Sequence, residues 1–210
     1  MINDQHNFLA IFPPKTASTS VRRVLNLTEP VVISGEKMAS VHIPCTEWLN
    51  VMIKDGIDPS SYFKFMFVRN PWSRIVSQWE YMRRMQRRDT SYGAACKRIV
   101  GIVKNFKGFL TINVSDLYGT GSDEHLLEPC YNYGYDSHGN QLVDFVGKFE
   151  NLQQDFNTVC HSIGLSQRLV PHINISKYKH YTKYYDEDTK QVVANRYAKD
   201  IDYFKYTFKQ

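Results

Sequence analysis

The segment PPKTASTS, residues 13–20, places one lysine and four hydroxyl side chains directly after an apolar run. Backbone N–H groups at a helix N-terminus attract anions, and lysine and hydroxyl side chains add hydrogen bonds to phosphate or sulfate oxygens. An ordinary serine cap is the structural alternative, but a cap needs one hydroxyl rather than four. The segment therefore predicts an oxyanion site formed by Lys15, Thr16, Ala17, Ser18, Thr19 and Ser20.

A nucleotide-binding P-loop is a second interpretation of the same segment. The P-loop pattern GxxxxGK[ST] uses glycines to wrap the backbone around phosphates, whereas residues 11–20 contain no glycine. The sequence also shows no recognisable magnesium-binding aspartate after a strand. A P-loop-like nucleotide kinase is therefore the second enzymatic hypothesis.

A further candidate phosphate site lies in VRNPWSRIVS, residues 68–77. Arg69 ends an apolar run, and a helix starting at Pro71 would carry Ser77 two turns further on. The two side chains can converge on one phosphate over the first helical turns, with a two-pronged contact from Arg69. The structural alternatives are a surface ion pair for Arg69 and a bracing role for Arg74.

Both segments follow predicted strands, at residues 7–12 and 62–69, which are aromatic and β-branched runs. Ser18 is predicted to cap the helix after the first strand, and Asn70 to cap the helix after the second, with Pro71 as its first residue. This alternation predicts an α/β fold with a mainly parallel sheet flanked by helices. Ligands of such sheets lie beyond the carboxyl ends of the strands.

Apolar spacing predicts further helices at residues 44–55, 151–163 and 186–204. Residues 111–141 lack periodicity and are predicted to be irregular. The helix after Asn70 has a predicted core face, formed by Trp72, Ile75, Val76 and Trp79. With no repeat or linker, we expect a single domain over residues 1–210.

Composition limits the classes of partner. The net charge of +5 favours anionic ligands without reaching that of a dedicated nucleic-acid binder. The four cysteines form no CxxC pair and are expected to be reduced, and no metal-ligand spacing is present. The sequence contains no signal peptide and no apolar run of membrane-spanning length, so we expect a cytoplasmic protein.

Among the seven histidines, His42 stands between the two anion-binding segments, just before the predicted helix at Pro44. Imidazole titrates near neutral pH and suits general-base catalysis on a hydroxyl. A lone histidine is more often structural. Glu36 and Glu47 are the acidic alternatives, but a carboxylate would need burial to become basic enough.

PPKTASTS resembles the 5′-phosphosulfate loop of sulfotransferases that use 3′-phosphoadenosine-5′-phosphosulfate (PAPS), of the carbohydrate type that includes heparan sulfate 2-O-sulfotransferase. Residues 63–84 resemble the second signature of this family, a strand followed by R-[ND]-P-x-x-R-x-x-S. Residues 146–156 and 171–189 continue the likeness, which therefore covers most of the chain except about 85–140.

The resemblance implies the P-loop-like sulfotransferase fold and sulfuryl transfer from PAPS to an acceptor hydroxyl, expected on a saccharide. It implies that Lys15 stabilises the leaving group, that His42 is the general base, and that Arg69 and Ser77 hold the 3′-phosphate. A late loop adds the weaker candidates Ser176 and Lys177. Animal members are usually anchored in the Golgi by an N-terminal helix, which this sequence lacks, so we expect a bacterial or viral enzyme or a trimmed chain.

A non-enzymatic module for polyanions is the remaining hypothesis. It would use the many tyrosines together with the basic end of the second helix, formed by Arg83, Arg84, Arg87 and Arg88. The same arginines can meet an anionic glycan or simply complement a helix C-terminus. The sequence specifies neither the acceptor nor the oligomeric state.

Overall fold

The computed structural model of the protein describes residues 1–27, 32–33, 36–37, 41–112, 127–171, 173 and 178–209. The chain forms two compact units, each of which combines two separate stretches of sequence. Unit 1 comprises Met1–Arg69 and Cys130–Asn174, and unit 2 comprises Asn70–Pro129 and Ile175–Gln210. The single domain expected over residues 1–210 stays a prediction.

The described strands all belong to unit 1. They are β1 (Ile2–Asn3), β2 (Phe8–Ile11), β3 (Val32–Ile33), β4 (Glu36–Lys37), β5 (Phe63–Val68) and β6 (Phe145–Lys148). One sheet has the order β1-β2-β5-β6, in which β2, β5 and β6 are parallel and β1 is antiparallel to β2. β3 and β4 form a separate antiparallel pair.

The described residues contain nine α-helices. They are α1 (Ser18–Val24), α2 (Cys45–Lys54), α3 (Pro71–Met85), α4 (Ser91–Val103), α5 (Phe106–Thr111), α6 (Tyr131–Gly134), α7 (Leu152–Ser162), α8 (Glu187–Arg196) and α9 (Ala198–Phe204). None of these helices is long and apolar enough to cross a membrane.

The central strands of unit 1 are buried almost throughout. All four residues of β2 and the last four of β5 are buried, a pattern typical of parallel strands covered on both faces. Part of this cover comes from α7, which packs on β5 and β6. The predicted α/β class and mainly parallel sheet are confirmed, and each predicted strand is one residue shorter at either end.

The helices predicted at residues 44–55 and 151–163 are confirmed as α2 and α7. Gly56 and Gly164 follow them with φ of 74° and 69°, a left-handed conformation that ends a helix and that glycine adopts without steric cost. The single helix predicted at 186–204 is wrong, because the chain forms α8 and α9 with a break at Tyr197. Tyr197 has φ −112° and ψ 29°, outside helical geometry.

The core of unit 2 forms around the apolar face of α3. Trp72, Ile75 and Trp79 lie in one buried cluster with residues of α4, α5 and α8, and Val76 is also buried. The predicted core face is therefore confirmed. Of the segment predicted to be irregular, residues 113–126 lie outside the described part, and α6 forms a short helix near its end.

All four cysteines are buried and unbridged. Burial raises the pKa of the Cys45 thiol to about 12, and burial also raises the pKa of Cys96 and of Cys160. Thiols in this state are protonated at neutral pH and are poor nucleophiles. Their environment is that of core side chains.

Asn70 connects the start of α3 to the C-terminal stretch of unit 2. Its side-chain oxygen accepts a hydrogen bond from the Ser73 N–H, which caps α3 as predicted, and its amide nitrogen donates to the Thr207 carbonyl at 3.0 Å. Asn70→Ala removes both bonds and should lower the free energy of unfolding by about 1–2 kcal/mol in urea titrations. Asn70→Ser retains a capping oxygen and should lose less. Equal stability of Asn70→Ala and the unaltered protein would contradict this assignment.

Candidate active site

The loop between β2 and α1 has an unusual backbone. Lys15 and Ala17 have φ of 66° and 70°, in the left-handed region that residues other than glycine rarely adopt. Left-handed residues interspersed in a turn direct neighbouring N–H groups into one concavity, which is the geometry of anion-binding nests. The segment therefore acquires without glycine a backbone conformation that glycine normally provides.

Helix α1 begins with no side-chain cap. Its N-cap is Ala17 rather than the predicted Ser18, which is the first helical residue, and Ala17 makes no side-chain cap hydrogen bond. The prediction for Ser18 is wrong because the left-handed turn at Ala17 already starts the helix. The first turn also contains no acidic residue. Its first N–H groups have no partner inside the helix and suit an anion.

The hydroxyl groups of the loop divide into two pairs. The buried Thr16 hydroxyl donates to the Pro13 carbonyl at 2.8 Å, and the buried Ser20 hydroxyl accepts from the Ile173 N–H at 3.4 Å. The Thr16 bond closes the loop on itself, and the Ser20 bond connects its end to Ile173 elsewhere in unit 1. Ser18 is half-buried and Thr19 is exposed, so these hydroxyls are the ones nearer to solvent.

Arg69 directly follows β5 and contacts the loop. Its Nη1 donates to the Lys15 carbonyl at 3.3 Å, and its guanidinium lies 4.1 Å from the centroid of the Phe149 ring. Only 8% of Arg69 is exposed. The cation–π contact and the hydrogen bond hold this cation beside the left-handed Lys15 backbone.

His42 is oriented by the main chain directly after β2. Its Nδ1 lies 2.7 Å from the carbonyl oxygen of Phe12, the residue between β2 and Pro13. Since a carbonyl can only accept, Nδ1 carries the proton, and Nε2 of the neutral ring has the basic lone pair. The ring is half-buried. Glu47, an acidic alternative, is exposed on α2, and the side chain of Glu36 lies outside the described part.

The other residues of the second signature belong to unit 2. Ser77 lies on α3 and is 9% exposed. Arg74 is 1% exposed, donates from Nη2 to the Glu128 carbonyl at 2.6 Å and lies 5.0 Å from the Tyr197 ring centroid. These contacts support the bracing role for Arg74. Ser176 and Lys177 lie outside the described residues.

Three features of the site have no signal in the sequence. The left-handed conformations occur at a lysine and an alanine, the Phe12 carbonyl is a main-chain atom, and Phe149 lies in a stretch with no anion-binding pattern. Among the described residues, no three His, Cys, Asp or Glu side chains lie close enough together to hold a metal ion.

The sequence profile of the sulfotransferase family matches residues 1–207. The chain belongs to the sulfotransferase family. This result confirms the resemblance seen in the loop at 13–20 and in the RNPWSRIVS signature.

Several relatives of this chain are carbohydrate sulfotransferases. It is 27% identical over 189 residues to carbohydrate sulfotransferase 14 of Danio rerio, covering 80% of this chain and 49% of that protein. It is 26% identical over an alignment of 230 positions to human carbohydrate sulfotransferase 9, covering 95% of this chain and 47% of that protein. The chain thus spans about half the length of these relatives.

Two further proteins are similar to this chain. An uncharacterised protein of Archaeoglobus fulgidus is 30% identical over 122 residues, covering 58% of this chain and 84% of that protein. The crystal structure of a sulfotransferase from Alicyclobacillus acidocaldarius covers 96% of both chains at 15% identity, with a TM-score of 0.41.

The backbone strain in the loop can be measured at Ala17. Ala17→Gly removes the steric cost of a left-handed Cβ, about 1–2 kcal/mol, and adds unfolded-chain entropy worth about 0.5–1 kcal/mol. The ligand-free chain should therefore gain up to about 1.5 kcal/mol in chemical unfolding. Ala94→Gly, at an exposed position of helix α4, is the matched control and should lose about 1 kcal/mol. The same loss at both positions would argue against the left-handed conformation of Ala17.

Proposed function

We propose that the chain is a PAPS-dependent sulfotransferase that transfers a sulfuryl group to a hydroxyl of a carbohydrate acceptor. The observation that carries the proposal is the loop of Lys15 and Ala17, which combines an anion-binding backbone with a helix start that no side chain caps. Membership of the family supports sulfuryl transfer. The carbohydrate acceptor is inferred from the names of the relatives.

The residues present fit a donor with two anionic ends. The backbone N–H groups of Ser18 and Thr19, the Lys15 ammonium and the hydroxyls of the same two residues suit a 5′-phosphosulfate. Thr16 and Ser20 keep the loop in shape, Thr16 through its bond to Pro13 and Ser20 through its bond to Ile173. Arg69 and Ser77 are the residues proposed for the 3′-phosphate. Such a donor supplies an activated sulfuryl group.

His42 is proposed as the general base. Its Nε2 would take the proton of the acceptor hydroxyl as that oxygen attacks sulfur. The resulting imidazolium keeps its Nδ1–H bond to the Phe12 carbonyl, so the same contact that sets the tautomer also stabilises the protonated ring. Lys15 would stabilise the negative charge that develops on the leaving oxygen.

The test of the nucleotide site uses adenosine 3′,5′-bisphosphate (PAP), the product expected from PAPS. A concentration of 100 times Kd stabilises a protein by about 2.7 kcal/mol, so PAP without magnesium should raise the melting temperature by several degrees. Lys15→Ala and Arg69→Ala should reduce this shift or the turnover. Arg87 is an exposed cation after α3, so Arg87→Ala serves as the charge-matched control and should behave like the unaltered protein.

The alternatives give different results in the same assay. A nucleotide kinase should respond to ATP with magnesium, and a polyanion-binding module should respond to an oligonucleotide but to neither mononucleotide. A complete lack of stabilisation by PAP would rule out the proposed function.

The role of His42 can be separated from nucleotide binding. His42→Ala should lower the rate of transfer by about 10²–10⁴-fold, the range typical of general acid–base catalysis, while the PAP-induced melting shift stays within the error of the unaltered protein. His42→Asn is a second variant that retains a side chain able to donate to Phe12 but has no base. Loss of PAP binding in both variants would show that His42 is structural.

A further inference from the structure

Unit 2 contains an open groove beside the C-terminal half of α3. The groove has a volume of about 690 Å³. It is lined by Glu80, Arg83, Tyr178, Lys179, Lys183 and Tyr184, which we call the tyrosine–lysine groove. Arg83 is thus the one member of the four-arginine run at the end of α3 that lines it.

Positive charge dominates the groove, with three cations and one carboxylate. The carboxylate of Glu80 is engaged within the wall, where it accepts hydrogen bonds from Arg83 at 3.0 Å and from the Tyr184 hydroxyl at 2.9 Å. Burial and this bond to Glu80 raise the pKa of Tyr184 to about 12, so its hydroxyl remains a donor. Lys179 and Lys183 are exposed, and neither forms an ion pair with another described residue.

The neighbouring cavity has no comparable excess of positive charge. It shares Lys183 with the groove, but its two carboxylates already have partners. Glu187 pairs with Lys190 at 3.2 Å, and Asp186 accepts hydrogen bonds from Thr189 at the start of α8. Its cations and carboxylates balance, so the excess positive charge belongs to the tyrosine–lysine groove.

The tyrosines of the groove form a fixed wall. The rings of Tyr178 and Tyr184 meet edge to face, with centroids 6.4 Å apart and an angle of 88°, and Tyr184 packs edge to face on Phe106 at 5.5 Å. A nucleic-acid platform needs ring faces that are open to successive bases, whereas these rings are half-buried and partly cover one another. Apolar ring surface beside cations suits a sugar, whose faces are apolar and whose edges are polar.

We propose that the tyrosine–lysine groove binds an anionic segment of the saccharide acceptor, a sugar unit that carries a carboxylate or a sulfate. The inference rests on the proposed function, because the ligand that it assigns to the groove is the acceptor of that function. Lys179 and Lys183 make the ionic contacts, Arg83 adds a third, and Glu80 fixes Arg83 and Tyr184 in place.

The inference is tested by direct binding of a fluorescent heparin-derived hexasaccharide to the whole chain. Exposed ion pairs contribute modestly, so Lys183→Ala should weaken binding about two- to fivefold and the double variant Lys179→Ala/Lys183→Ala about tenfold. The dependence on salt should also become shallower. Arg87→Ala/Arg88→Ala removes the same charge from exposed positions outside the groove and should change binding less than twofold.

Further arms separate the groove from the nucleotide site. Uncharged maltohexaose should bind no better to the unaltered protein than to the double variant, and the PAP-induced melting shift should be the same in both. Equal hexasaccharide affinity in the double variant and its control would overturn the inference, as would equally tight, groove-dependent binding of an oligonucleotide of matched charge. Absence of a PAP shift in the unaltered protein would instead overturn the proposed function.

Discussion

The candidate site depends on a left-handed backbone at two residues other than glycine. Lys15 and Ala17 each adopt a conformation that costs about 1–2 kcal/mol relative to ordinary backbone. Buried contacts restrain them: Arg69 donates to the Lys15 carbonyl, and Thr16 donates to the Pro13 carbonyl. Without these bonds the loop would relax, and the N–H groups at the start of α1 would lose their common direction. The proposed anion binding therefore depends on the packed loop rather than on the residue types alone.

The parallel pairing of β2 with β5 brings together residues of the site that are far apart in the sequence. The register pairs Ile11 with Met66, so the two strands end at the same edge of the sheet. At that edge, Phe12 presents its carbonyl to His42, and Arg69 reaches the loop. A shift of one residue in either strand would move every side chain to the opposite face of the sheet. Both faces are packed, as the continuous burial along the two strands shows, and this packing opposes such a shift. The core thus determines the positions of the proposed base and of Arg69, the cation proposed to bind the 3′-phosphate.

The fold was predictable where one local signal dominates. Two apolar runs predicted β2 and β5. The Asn70–Pro71 pair predicted the start of α3, because a capping amide and the fixed φ of proline both act within one helical turn. The start of α1 was not predictable, since left-handed φ has no signature at alanine. The break between α8 and α9 was also hidden, because the apolar spacing continues through Tyr197. Its hydroxyl donates to the Leu127 carbonyl, a contact far away in sequence.

The two arginines of the RNPWSR signature show why residue identity does not determine role. Arg74 is 1% exposed, donates to the Glu128 carbonyl and lies over the Tyr197 ring, so its charge is committed to holding segments of unit 2 together. Arg69 lies at the end of a strand, and its bond to the Lys15 carbonyl uses one of the five donors of a guanidinium. This bond and the contact with Phe149 place the guanidinium beside the left-handed Lys15 backbone, in the loop proposed to bind the donor. Burial and main-chain partners, rather than the shared motif, therefore favour Arg69 over Arg74 for the proposed phosphate contact.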